Sequence, residues 1–251
     1  MSKKKVLVFI DWYLPGYKAG GPIRSCTNLV AHLSNEFEFF LVTRDSDYMD
    51  IVPYSSINKN TWNKLSDGSS VFYISEDNLK FSVFKKIIKE NSADFIYLNS
   101  AYSFYFTVIP LWIINRKERK VIISVRGMLA PSALAIKSFK KKLFLFFSKA
   151  VGLFDDVIFQ ATTEDEQKQI LTVFPKSKIK VVPNLPRKNY QQNANRIVKL
   201  QGEVRLLNVA RIAPEKNLLF ALETLKNVKG RVVFDCFGTM YNNSYWGKCK
   251  N

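Results

Sequence analysis

Residues 204–225, VRLLNVARIAPEKNLLFALETL, decide how the rest of the chain reads. The stretch opens with an apolar run too short for a helix, passes through a basic turn holding Arg211, Pro214 and Lys216, and resumes with leucines at helical spacing. The pattern predicts strand, loop, helix. In an open α/β sheet, ligands sit beyond the carboxyl ends of the strands, where the next helix offers unpaired N–H groups and the positive end of its dipole. An anion suits that position. Arg211 can grip two phosphate oxygens as a fork while Lys216 adds a mobile point charge, which suits the diphosphate of a nucleotide-activated donor. The plainer reading is a loop whose basic residues are simply solvated.

Working outward, the same alternation recurs. Residues 5–11, 37–43, 71–75, 94–98, 120–125, 156–161 and 179–182 are short apolar runs separated by helical patterns, which is how buried parallel strands read. An alternating α/β domain over residues 1–186 is expected. Residues 187–202, polar and without periodicity, read as a linker, and residues 203–251 as the start of a second α/β domain with a further strand at 231–237. Residues 51–68 read as an irregular excursion at the substrate face. Residues 102–114, interrupted by Pro110, read as a core helix, falling short of the roughly 18 residues needed to span a bilayer.

The composition, 47% hydrophobic and 24% charged over 251 residues, suits an enzyme with one large core and part of another. The net charge of +17 attracts anions without choosing among nucleotide sugars, nucleic acid and acidic membranes. Nucleic acid loses support because no recognition motif is present. Cys26, Cys236 and Cys249 have no metal-ligand spacing, and Lys3 to Lys5 run straight into the first strand without an export segment, so a cytoplasmic protein is expected. The absence of G-x-G-x-x-G removes the main support for a dinucleotide dehydrogenase.

Arg211-x-x-x-x-Lys216-Asn217 before an amphipathic helix, far downstream of an N-terminal strand and a Gly20-Gly21 loop, resembles the retaining glycosyltransferases of family 4. The resemblance covers nearly the whole chain. It implies the two-domain GT-B fold, with a complete N-terminal Rossmann-like domain and the first part of a second. It also implies that Arg211 and Lys216 hold the donor diphosphate and stabilise the charge that builds as the sugar departs. The donor is then a nucleotide-diphosphate sugar, the acceptor a polysaccharide or lipid-linked glycan, and no cofactor or metal takes part. The Gly20-Gly21 loop touches donor phosphate or acceptor in such enzymes. By the same resemblance, about another hundred residues, including a pair of glutamates, are expected after Asn251, and the 251-residue chain is expected to transfer no sugar alone. A catalytically inert anion- or acceptor-binding module is the alternative.

Asn99 with Ser100, Arg126 with Gly127, and Thr162 with Thr163 stand at strand ends facing the expected cleft. Many family 4 members carry a histidine near Arg126. Here the sequence is SVRGMLAP, which resembles a bacterial surface-polysaccharide branch. Arg126 then either grips a phosphate or acidic sugar or forms an internal salt bridge. Asp45-Ser46-Asp47 has the form of a metal-binding D-x-D, but no third oxygen ligand stands near it in sequence, and a turn is the simpler reading. Thr163-x-x-Glu166 reads as a capping box. His32, the only histidine, has a packing or surface role.

Residues 134–151, LAIKSFKKKLFLFFSKAV, form one more amphipathic pattern. On a helix, Ile136, Phe139, Leu143, Phe146, Phe147 and Ala150 gather on one side, expected to pack on the sheet. Lys137, Lys140 and Lys141 lie opposite, with Phe144 and Leu145 among them. Either another element covers those two, or this side contacts an anionic membrane surface, placing the protein on the inner face of the cytoplasmic membrane.

Overall fold

The computed structural model describes residues 3–135, 138–188, 201–240 and 242–250, and the chain divides into two compact units, Met1–Tyr190 and Gln191–Asn251. The expected linker at 187–202 lies mostly outside the described residues.

The first unit carries β1 (Lys4–Phe9), α1 (Gly21–Leu33), β2 (Phe37–Arg44), β3 (Trp62–Lys64), β4 (Ser70–Ile74), α2 (Phe81–Glu90), β5 (Phe95–Leu98), α3 (Ile109–Ile113), β6 (Lys120–Ser124), α4 (Pro131–Ala135), α5 (Ser138–Ala150), β7 (Val157–Ala161), α6 (Glu164–Val173) and β8 (Lys178–Val181). Its eight strands form one sheet in the order β3-β4-β2-β1-β5-β6-β7-β8. All pairings are parallel except β3 with β4: helices carry the chain between β1 and β2 and from β4 onward, while β2 reaches its parallel neighbour β4 through the irregular stretch that contains β3.

Strand alternation divides the core. Leu7, Phe9, Ile96, Leu98, Val121, Ile123 and Phe159 face a layer built from α2, a π-helical turn at Phe104–Val108, α3, α5 and α6, which inserts Phe84, Ile87, Phe106, Ile109, Leu145 and Ile170. Val6, Val8, Ile10, Phe39, Leu41 and Tyr97 face α1, which inserts Ile23, Cys26 and Val30. Phe9, Phe84, Phe106 and Phe159 are fully buried, each worth about 2–3 kcal/mol of transfer free energy. The segment after β8 returns along α1, where Asn28 Nδ2 donates to Leu185 O (2.9 Å) and Lys188 Nζ to Ala31 O (2.9 Å). His32 Nε2 lies 3.0 Å from Pro186 O, so the histidine ties down this strap.

Three local expectations are corrected. The excursion at 51–68 contains the antiparallel edge strand β3, held by Trp62 against the rings of Phe40 (5.4 Å) and Phe72 (5.3 Å). The core helix at 102–114 is a π-helical turn, Phe104–Val108, followed by α3 with Pro110 in its first turn, where no N–H is needed. The side of α5 expected to pack faces outward. Phe144 packs on Tyr102 (5.4 Å) and Phe154 (6.4 Å), and Leu145 is buried, so these two belong to the core and not to an exposed contact surface. Lys141 bends back to donate to Ala133 O and covers the Tyr102 ring. Lys140 is exposed, while Lys137 lies outside the described residues.

The second unit contains β9 (Glu203–Val209), a 3₁₀ turn at Pro214–Lys216, α7 (Leu218–Leu225), β10 (Arg231–Phe237) and α8 (Asn243–Lys250). β9 and β10 pair in parallel from Arg231↔Glu203 to Phe237↔Val209, with α7 in the crossover.

Candidate active site

In the first unit, β2 and β5 flank β1 and are reached by connections leading to opposite sides of it. The crevice beyond the carboxyl ends of β1 and β5 is therefore the topological switch point of the sheet. Asp11, two residues past β1, accepts from Ser103 Oγ across this crevice (2.8 Å). Loss of solvation raises the Asp11 carboxyl above the ordinary aspartate pKa, against the opposing pull of the Ser103 hydrogen bond and the Arg44 charge. The Arg44 guanidinium sits over the rings of Trp12, Tyr105 and Phe106 at 6.0, 5.6 and 5.6 Å. This polar group was missed in sequence. The only signal was an acidic residue ending the otherwise apolar run VLVFID.

The raised pKa of Asp11 fixes a sign. The folded state binds its proton more tightly than the unfolded state, so the stability linked to this group is present below the ordinary aspartate value and lost as pH rises through the raised folded value. Asp11→Asn, which keeps an acceptor for Ser103, is expected to melt higher than the native protein at pH 8 and to lose that advantage toward pH 4. Melting curves across this range check it, and a constant difference overturns the burial argument.

The loop after β1 is organised by Asp47. Its Oδ2 accepts from the backbone N–H of Tyr17 (2.8 Å) and Lys18 (3.1 Å), and its Oδ1 from that of Tyr48 (2.7 Å). The D-x-D pair thus supplies a loop anchor. The loop ends at Gly20, which caps α1 at φ +71°, a conformation costly for any residue with a side chain. A Cβ on Gly20 or Gly21 would meet nothing within 4 Å, so both present open backbone at the start of α1.

At the end of β6, Arg126 adopts φ +54° and Gly127 φ +70°. Arg126 Nε donates to Asn99 Oδ1 (2.7 Å), Nη2 to the Tyr97 hydroxyl (3.2 Å), and Nη1 to Asn184 Oδ1. These partners are amides and a phenol, so of the two readings of Arg126 the internal salt bridge is not formed among the described residues. Asn99 is buried and holds Arg126 through its Oδ1, while its Nδ2 has no hydrogen-bond partner among the described residues. Burial pushes the pKa of the nearby Cys26 thiol up to about 12. Glu166 also departs from the simple capping box. Thr163 Oγ1 accepts from Glu166 N (3.1 Å), but the Glu166 carboxylate takes the N–H of Gly127 (2.6 Å) and both the N–H (2.6 Å) and Oγ1 (2.7 Å) of Thr162. It ties the ends of β6 and β7 together.

In the second unit, Arg211 and Lys216 lie in the loop between β9 and α7, and both are exposed. Arg211 Nη2 is 3.4 Å from Glu215 Oε1, a contact within reach of solvent and exchangeable for a stronger anion. Asn217, at φ +54°, turns the chain from the 3₁₀ turn into α7.

No protein-family model matches the sequence, and no curated protein matches it. The chain is similar in structure to sucrose-phosphate synthase from Thermosynechococcus elongatus, with TM-score 0.57 and 12% identity over 93% of this chain and 62% of that one. It is similar to a trehalose-6-phosphate synthase, with TM-score 0.59 and 9% identity over 98% and 68%. A glycosyltransferase from Rickettsia africae matches with TM-score 0.54 and 12% identity over 100% and 64%. The chain thus spans a little under or over two thirds of the length of the structures it matches. The fold is α/β of the GT-B type, the architecture of these glycosyltransferases.

Proposed function

We propose that this chain belongs to a retaining family 4 glycosyltransferase of bacterial surface-glycan synthesis, which moves a sugar from a nucleotide-diphosphate donor to a polysaccharide or lipid-linked acceptor at the inner face of the cytoplasmic membrane. The observation that carries the reading is the β9–loop–α7 unit, which sets Arg211 and Lys216 beyond the carboxyl end of a parallel strand and before a helix. The bond between the anomeric carbon and the diphosphate oxygen breaks, the acceptor oxygen takes its place, and the acceptor's proton passes to the departing diphosphate. Arg211 and Lys216 neutralise the charge that grows on that leaving group, Arg211 by exchanging its contact with Glu215 for the diphosphate. The Gly20-Gly21 backbone and the Asp11–Ser103 crevice serve the acceptor, while Arg126 and Asn99 shape its wall.

The test is an NMR titration of the isotopically labelled chain with UDP and GDP. Amide shifts confined to the Arg211 loop and the first turn of α7, reduced at least about tenfold in apparent affinity by Arg211→Ala, are expected. Shifts spread over the whole basic surface, unchanged in the variant, would overturn the assignment of the diphosphate to this loop.

A further inference from the structure

α5 is apolar on two opposite sides. At about 100° per residue, Phe144, Leu145, Ser148 and Lys141 cluster on the side turned to the sheet, where Ser148 and Leu145 are buried. On the opposite side stand Phe139, Leu143 and Phe146, at 76%, 46% and 67% exposure, with Ala150 between them in projection. Phe147 at 57% and Val151 at 66% widen the stripe. Lys140 borders it on one edge and Lys142 on the other, both exposed. Lys149 stands beside Lys142, with its ammonium 5.7 Å from the centre of the Phe174 ring. Residues 138–151 contain no acidic side chain.

An aromatic stripe turned to water loses the stabilisation that burial would give each ring, so a partner that covers it gains that energy. The flanking lysines select the partner. A second copy presenting the same face would set lysines against lysines, on a chain of net charge +17. A bilayer with anionic headgroups accepts the rings between its acyl chains and the ammonium groups among its phosphates. Among the described residues no helix is long and apolar enough to cross a membrane, so the contact lies in the plane of the interface.

We infer that the outer side of α5, led by Phe139, Leu143, Phe146 and Phe147 and bordered by Lys140 and Lys142, is a docking surface for an anionic lipid bilayer. It names the surface behind the membrane placement proposed above and rests on that part of the reading, but it is measured without donor or acceptor, so its failure is distinct from a failure of sugar transfer. The experiment is co-sedimentation of the chain with vesicles of phosphatidylcholine alone and of phosphatidylcholine with about one third phosphatidylglycerol, at low salt. The native chain is expected to sediment with the anionic vesicles and to bind neutral ones at least about tenfold more weakly. Phe139→Ser with Phe146→Ser, and separately Lys140→Glu with Lys142→Glu, are each expected to lower the anionic binding at least about tenfold. All four positions are exposed, so the variants should keep the native melting temperature. Lys226→Glu with Lys229→Glu, in the second unit, makes the same charge change elsewhere and is expected to leave most of the binding. Absence of vesicle binding by the native chain overturns the inference, as does equal loss in the Lys226 and Lys229 variant. So does lipid-free self-association that Phe146→Ser abolishes, which would make the face a contact between copies.

Discussion

Under the proposed function, Arg211→Ala is expected to lower sugar transfer by about a hundredfold at saturating donor, with Lys216→Ala close behind. The size follows from where the charge develops. In the bound donor the diphosphate is already anionic, but the bond to the sugar shares one negative charge that is released only as that bond breaks. A cation fixed near the leaving oxygen therefore stabilises the transition state more than the ground state, and the loss appears in kcat rather than only in KM. Both side chains are exposed in a loop, so neither substitution should disturb folding. Glu215 supplies an internal comparison. Its carboxylate stands 3.4 Å from Arg211 and competes with the diphosphate for the guanidinium, so Glu215→Gln is expected to tighten donor binding modestly. A screen of nucleotide sugars followed by steady-state kinetics measures all three. Near-native kcat in Arg211→Ala would remove this loop from the chemistry.

The parallel sheet was legible because strands covered by helices read as continuous apolar runs, and VLVF, FIYL, VII and VIF within β1, β5, β6 and β7 are such runs without help from the tertiary structure. What was not legible depends on contacts distant in sequence. β3 is three residues, Trp-Asn-Lys, with no periodicity of its own, and exists because Trp62 reaches Phe40 and Phe72. The hydrogen-bond set of Arg126 joins Asn99, Tyr97 and Asn184 from three segments, so only the fold could distinguish a wall residue from a phosphate ligand. α5 failed for another reason. Periodicity finds an apolar side but cannot say which of two apolar sides meets the core, and here the smaller one, Phe144 with Leu145, does. In sequence Asp11 reads only as a strand terminus, because its partner Ser103 lies 92 residues away.

Gly238→Ala is expected to destabilise the second unit by about 3 kcal/mol, whereas Gly247→Ala, nine positions on, should stabilise it slightly. Gly238 follows β10 where the ladder continues past both strands: Ala210 N–H donates to Phe237 O (3.0 Å) and Ile212 N–H to Thr239 O (2.9 Å). A Cβ on Gly238 would lie 1.8 Å from Ala210 O and 3.2 Å from Arg211 N. These are backbone atoms held by that ladder, so no side-chain rotation relieves the clash, and β9 and β10 must part at the end that carries Arg211. Gly247 lies within α8, and a Cβ there would meet nothing within 4 Å. Alanine at that position gains helix propensity without a contact to break. Amide hydrogen exchange over β9 and β10 reads both variants. Faster exchange at Ala210 and Ile212 in Gly238→Ala, with loss of the UDP-induced shifts at the Arg211 loop, is the expected pair of results. Unchanged protection would mean that the two strand ends separate easily and that the position of Arg211 does not depend on the close approach at Gly238.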